Sequence, residues 1–268
     1  MDHTLVIVVL GVLGLCFGSF VNALVWRLHK GRNFVSERSE CTHCHHVLAW
    51  YDLVPLLSWL WLRGCCRYCH RAIDDSPVVE LAGATLFVVS YLAWPYGFAS
   101  SLAIGLFALW LVAVVILLAL ADYDVRWQLL PDVMVFPLVV LAGVIGIMRS
   151  ALEGLSWGWA VGDMLLGVVV IAGLYYALYH VSRHRWVGFG DVKLSVAIGL
   201  ALGWQGALVA LFAANLLGTA WVLPGLMLGQ LTRRSRVPFG PFLIAGWLVA
   251  MLWGHAIVAW YLQPLILL

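Results

Sequence analysis

The sequence predicts an all-α polytopic membrane protein, with about eight transmembrane helices and one long polar loop after the first. Three observations carry that expectation. Of the 268 residues, 64% are hydrophobic and only 10% charged, where a soluble domain has about 25% charged residues. Apolar stretches of membrane-crossing length recur along the chain. The basic residues fall almost entirely in alternate loops. The net charge of +2 by itself assigns no partner, and with so little charge no nucleic-acid partner is expected.

The spans are read at roughly 4–26, 78–94, 101–121, 132–149, 158–181, 191–204, 206–229 and 238–262, all but the sixth near the ~20 residues that cross a bilayer. The sixth is the shortest. Its separation from the seventh rests on Gly203 and Gly206. The first lacks a basic flank before it and is expected to be a retained helix, not a cleaved signal. The 15 tryptophans suit interfacial anchoring. Glycine stripes such as Gly167, Gly173 and Gly199 suit close helix packing. The expected division is 1–26 as first helix, 27–77 as a polar domain and 78–268 as the bundle.

With eight alternating crossings, Arg27, Lys30, Arg32, Arg38, Arg63, Arg67, Arg71, Arg126, Arg183, Arg185, Lys193, Arg233, Arg234 and Arg236 share one side. Only Arg149 falls on the other. By the positive-inside rule the basic side is cytoplasmic. Lipid is then an obligatory partner, and both termini are expected on the outer side.

The polar stretch holds Cys41-Thr42-His43-Cys44 and, 21 residues on, Cys66-Arg67-Tyr68-Cys69. Two such pairs form two thiolate knuckles that complete a tetrahedron around zinc. So small a domain has too little core to fold alone, and a metal makes up the difference. Two disulfides are the alternative, disfavoured on a reducing side. Cys65 breaks the spacing and is left out. The apolar stretch Trp50–Leu62 is too short to cross and contains Pro55. Its expected place is on the membrane surface or against the bundle.

Two carboxylates stand at the cytoplasmic ends of apolar spans. Asp124 lies in Asp122-Tyr123-Asp124, before Leu130-Pro131-Asp132. Asp191 lies in Gly188-Phe189-Gly190-Asp191-Val192-Lys193. An acid beside the bilayer core is costly, which marks a functional site. Side by side, the pair can share a proton and activate water. The plain alternative is that each caps a helix or faces water; Asp191 at a helix start fits that reading too. Glu80, near the start of a span, either holds a polar ligand or caps the helix. Asn22 is a helix-packing residue first. Lys193 is expected at lipid headgroups more than on a carboxylate, and Asp163 at the interface. His180, His184 and His255 have no evident partner.

These motifs together resemble the type IV prepilin peptidases. Gly18-Ser19-Phe20-Val21-Asn22 with Trp26-Arg27-Leu28 is similar to the family's GSFLNVVIxRLP opening. The two cysteine pairs follow, around Trp50-Tyr51-Asp52, Pro55-Leu56-Leu57-Ser58-Trp59 and Leu62-Arg63-Gly64. Pro77-Val78-Val79-Glu80-Leu81 is similar to PLVEL, and Asp124 with Pro131-Asp132 to D-x6-PD. Gly188 to Leu194 is similar to GxGDxKL. Gly203-Trp204-Gln205 and Pro238-Phe239-Gly240-Pro241-Phe242 match LGWQ and PFGPF.

The resemblance implies a membrane aspartic endopeptidase that removes the basic leader of prepilins and pseudopilins, with Asp124 and Asp191 as its catalytic pair. It also implies N-methylation of the new N-terminal residue from S-adenosylmethionine, with Glu80 a candidate for the donor's amino group. Departures are Asp75-Ser76 for Arg-Tyr before PLVEL, Arg126 where a second acid is common, and Cys65 where Arg or Lys is common. Asp74 and Asp75 are the local acids that would offset the basic face toward a basic leader. A presenilin-like intramembrane protease shares the Tyr-Asp and Gly-x-Gly-Asp elements but lacks the zinc loop and PFGPF. A non-catalytic membrane scaffold with a zinc module is the third reading.

Overall fold

The computed structural model describes residues 2–33, 38–73, 77–232, 235 and 237–266. Asp74, Asp75 and Ser76, and the basic residues Arg233, Arg234 and Arg236, lie outside the described residues. The helices are α1 His3–His29, α2 Leu57–Trp61, α3 Val78–Leu92, α4 Ser101–Trp127, α5 Asp132–Leu152, α6 Trp157–Val181, α7 Phe189–Met227 and α8 Gly240–Ile266, with a 3-10 turn at Trp50–Leu53. Among the described residues, six helices are long and apolar enough to cross a membrane, and α3 is a shorter apolar helix of 15 residues. The protein is therefore a multi-pass helical membrane protein. Two compact units divide it: Met1–Leu92 with Val114–Asp122, and Ala93–Ala113 with Tyr123–Leu268.

In the first unit α1 and α3 run antiparallel in close contact. A Cβ on Gly14 would lie 2.5 Å from the carbonyl oxygen of Gly83, and one on Gly18 would lie 2.5 Å from the Cα of Glu80. Only glycine allows that approach. Past Gly18, Val21, Asn22 and Val25 stay buried. Asn22 thus sits in the packed face, as expected.

In the second unit α7 packs on α5, α6 and α8. Its 39 residues contain one non-helical position, Gly203, at φ 67° and ψ −175°. The chain reverses there. Gly167 of α6 meets Gly199 and Gly203. Further along α6, Tyr175 takes a hydrogen bond from Asn215 at 3.2 Å, and one turn on Tyr179 meets the ring of Phe189 at 5.4 Å. Both halves of α7 therefore reach the level of Tyr175, and the element is a helical hairpin. The sixth and seventh spans of the sequence reading are these two halves, with the break at Gly203. Gly173, by contrast, meets nothing within 4 Å, so the packing expected of it does not form.

Polar groups hold the reversal. Arg149 donates through Nε to the Ala201 carbonyl at 3.1 Å, where the first half ends. Asp163 accepts from the Trp204 N–H at 3.2 Å, where the second half begins. Cation on C-terminal carbonyl and anion on N-terminal amide complement the two helix ends. Arg149 and Asp163 also pair with each other, and Arg149 pairs with Glu153 at 2.7 Å. Glu153 receives His255 at 3.1 Å. Burial opposes ionisation of Glu153, but His255 and Arg149 hold its carboxyl below the ordinary range. Asp163 is thus a member of a polar network, and His255 has partners in Glu153 and Tyr96. Their sequence separation had hidden all of this.

Gly203→Ala forces a side chain into the left-handed region and to within 1.9 Å of an Asp163 carboxylate oxygen. It should lower unfolding stability by about 2 kcal/mol or more. Gly173→Ala, entering open space, should be neutral or slightly stabilising. Thermal unfolding of the two variants in the same detergent checks this.

Candidate functional site

Two sites emerge, one in each unit. In the first, the segments around Cys41 and Cys66 fold as repeats of one turn. The Cys41 N–H donates to the His46 carbonyl and the Cys66 N–H to the Arg71 carbonyl. The carbonyls of Cys41 and Cys66 accept from His45 and His70, both at φ 56°. Isolated β-bridges, Glu40 with Val47 and Cys65 with Ala72, close the two turns. Cys65 is the counterpart of Glu40, which explains why it stands outside the sulfur cluster.

The four sulfurs of Cys41, Cys44, Cys66 and Cys69 lie within 4.8 Å of one another. Cys41 Sγ and Cys69 Sγ are 3.8 Å apart. Zn–S bonds of about 2.3 Å in a tetrahedron put sulfurs about 3.8 Å apart, so the cage fits a metal such as zinc. Burial works against the Cys41 thiolate, but N–H groups of Cys44 and His43 and neighbouring thiols bring it down to about 6. The His46 N–H favours the Cys44 thiolate, yet burial and the adjoining sulfurs push it up to about 11. Four thiolates in one cage call for a cation to balance them.

Asp52 ties the 3-10 turn to the second knuckle. It accepts from Ala49 N–H at 3.2 Å, Arg67 Nε at 2.7 Å and Tyr68 Oη at 3.2 Å. Burial raises its pKa, but those donors hold the carboxyl below its ordinary value. This stabilisation is present above the ordinary carboxylate range and is lost as pH falls through the depressed pKa.

Glu80, in the first turn of α3, is buried. Its Oε2 accepts from the Leu56 N–H at 2.6 Å. It is thus neither a simple cap of its own helix nor committed wholly to a ligand. It also lines a cavity of about 420 Å³ with Asn22, Trp26, Arg27, Asp52 and Trp59.

The second site holds the two aspartates, 5% and 9% exposed for Asp124 and Asp191. Asp124 lies in the last turn of α4, and Asp191 is the third residue of α7. The two carboxyl groups interact electrostatically. Each is met by a backbone donor from a helix start: Gly188 N–H to Asp191 at 3.2 Å, and Gly240 N–H to Asp124 at 3.1 Å. Leu130 fills the space between the two loops. Its side chain would be 3.0 Å from a Cβ on Gly190 and 3.5 Å from one on Gly240. Asp122, two residues earlier on α4, points about 200° away around the helix and belongs to the other compact unit.

Lys193 pairs with the Asp132 carboxylate and stacks over Phe136 and Phe189. It fastens the start of α7 to the start of α5. Gly240 is the residue that sequence reasoning missed. Pro238–Phe242 had been noted only as a motif, and nothing local in it points to an aspartate 116 positions away.

Residues 12–94 match the Bacterial Peptidase A24 N-terminal domain, and residues 111–223 match the Type IV leader peptidase family. A prepilin leader peptidase/N-methyltransferase of Aeromonas hydrophila is 40% identical over 234 residues, 86% of this chain and 76% of its own. The chain belongs to the type IV leader peptidase family. Similarly named proteins of Stutzerimonas stutzeri, 34% identical over 94% of this chain and 92% of their own length, and Bacillus subtilis, 30% over 95% and 97%, extend the likeness end to end. No solved structure matches the chain. The sulfur cage and Glu80 fall within the first family match and both aspartates within the second. Gly240 lies beyond it.

Protein purified without chelator should carry one tetrahedral divalent metal per chain. Cys41→Ser/Cys44→Ser should lose it, and Cys65→Ser should keep it. Metal analysis of the three proteins decides. Asp52→Ala should release the metal to a chelator faster, with about 1–3 kcal/mol of module stability lost.

Proposed function

We propose that this chain is a membrane aspartic endopeptidase that removes the leader of type IV prepilins and pseudopilins, using Asp124 and Asp191 as its catalytic pair. The observation that carries the reading is the pair itself: two buried, interacting carboxyls on separate helices, each steadied by one backbone N–H. Two such groups share one proton. The ionised one takes a proton from water, and the protonated one donates to the scissile carbonyl oxygen as water adds. The amide nitrogen then leaves with a proton, and the pair returns to one proton. Further support is family membership, and the placing of fourteen of fifteen basic residues on the side where both acids lie, which argues for a cytoplasmic-facing site in the bacterial inner membrane.

The relatives' names join an N-methyltransferase to the peptidase, and we extend that activity to this chain. The cavity beside Glu80 has the donor set that S-adenosylmethionine needs. Glu80 offers an anion for its amino group, Arg27 a cation for its carboxylate, and Trp26 and Trp59 offer faces for its adenine. When bound, it supplies an electrophilic methyl for the freed N-terminal amine. Zinc on the four cysteines is structural, because four thiolates leave no position open for water.

Asp124→Asn and Asp191→Asn should each abolish prepilin cleavage while insertion and metal content stay normal, and Asp122→Asn should be much milder. Cleavage surviving in either of the first two variants overturns the assignment. Gly240→Ala, whose Cβ would stand 2.6 Å from an Asp124 oxygen, should also lose cleavage. Glu80→Gln should cut methylation by about tenfold or more, equivalent to about 1.4 kcal/mol, with leader removal retained. Radiolabelled S-adenosylmethionine and a prepilin, scored for label and for processing, read both.

A further inference from the structure

We infer that the apolar turn of the cysteine-bearing module, Trp50–Trp61, is sunk into one leaflet of the bilayer, where it completes a crossing that α3 leaves unfinished. The first observation is length. At 1.5 Å per residue, the 15 residues of α3 span about 22 Å, against about 30 Å of hydrocarbon. One end of α3 is fixed by register. Tyr91 meets His3 at 2.8 Å at the start of α1, and Glu80 packs on Gly18. Counting along α1 from His3, Gly18 lies about 22 Å in. Glu80 is therefore still about 8 Å, and the start of α3 about 5 Å, short of the far side of the hydrocarbon. α1 itself runs on to His29.

The second observation is what sits on that short end. Glu80 Oε2 holds the Leu56 N–H at 2.6 Å, so the apolar turn begins at the depth where α3 stops. Its outward side chains are large and apolar. Trp61 is 83% exposed, Trp50 79% and Leu57 65%, with Leu53 and Leu60 exposed beside them. Water would meet these at a cost of about 25 cal/mol per Å². α1 carries exposed Val12, Leu13, Phe17 and Phe20, and Phe20 lines the same cavity as Leu53 and Trp59 of the turn. By length and composition α1 is a membrane span, and exposed apolar side chains on a span meet lipid.

The third observation is the edge. Arg63 follows the turn, and Arg67 stacks its guanidinium 5.0 Å over Tyr51. Aromatic rings with cations just beyond them suit the boundary between acyl chains and headgroups. The occupant of this surface is thus the acyl region of the lipid, not a second protein. In its second half the backbone has polar groups met internally, as the hydrocarbon demands: Ser58 N–H reaches Val54 O, Leu60 N–H reaches Leu56 O and Leu62 N–H reaches Ser58 O.

The test uses the full chain in vesicles of phosphatidylethanolamine and phosphatidylglycerol. A benzophenone amino acid replaces Leu57 or Trp61, and, as references, Leu5 on the lipid face of α1 or Lys30 beyond its end. After irradiation and ester hydrolysis, an acyl-chain adduct leaves a fatty acid on the peptide, and a headgroup adduct leaves glycerophosphate. Fatty-acid adducts at 57 and 61, in yield comparable to Leu5 and absent at Lys30, are expected. Glycerophosphate adducts alone would mean that the turn rides on the surface, and crosslinks to a second copy would make it an interface. Either result, or no adduct at both positions, overturns the inference. Metal content measured on the same samples shows that the module is folded.

Discussion

A buried carboxylate among apolar helices needs hydrogen-bond donors, and in the second unit those donors are backbone amides at helix starts. Gly188 serves Asp191 and Gly240 serves Asp124. The requirement propagates outward. Amides can be aimed only if the helices that begin with them are fixed in depth and rotation. Lys193 with Asp132 fixes the start of α7 to that of α5, and Leu130 wedges between the loops of Gly190 and Gly240. Small residues then let the helices close up behind. Buried polar groups are expensive in such surroundings unless met, and much of the unit consists of arrangements that meet them.

The same logic governs the opposite end of α7. Breaking a helix inside a bundle exposes carbonyls on one side and amides on the other. Arg149 and Asp163 answer each with the complementary charge and then neutralise one another. Glu153 and His255 complete the set. Arg149 was the one basic residue on the minority side of the charge count, and its burial there has a structural cause.

Much of this was legible in the sequence. The apolar spans roughly match the helices among the described residues, six of crossing length and the shorter α3, with α7 broken at Gly203, because length and apolar content respond directly to bilayer thickness. The four cysteines come together as their spacing required, since a knuckle is a local object. What stayed hidden was contact at a distance. Asp163 with Trp204, Arg149 with Ala201 and Gly240 with Asp124 join residues whose neighbours in sequence give no sign of one another. Glu80 is an intermediate case: its burial near a helix start was readable, but its bond to the Leu56 amide depends on how the polar loop folds back.

The reversal at Gly203 also bears on how the protein is made. Residues 189–202 form a half-helix of about 20 Å, too short to partition into a bilayer as an independent segment. A translocation channel must therefore release it together with the half that follows, as a hairpin. By then α5 and α6 have already emerged, carrying Arg149 and Asp163. The two charges that close the turn precede it in the chain, so the order of synthesis matches the order in which polar groups need partners.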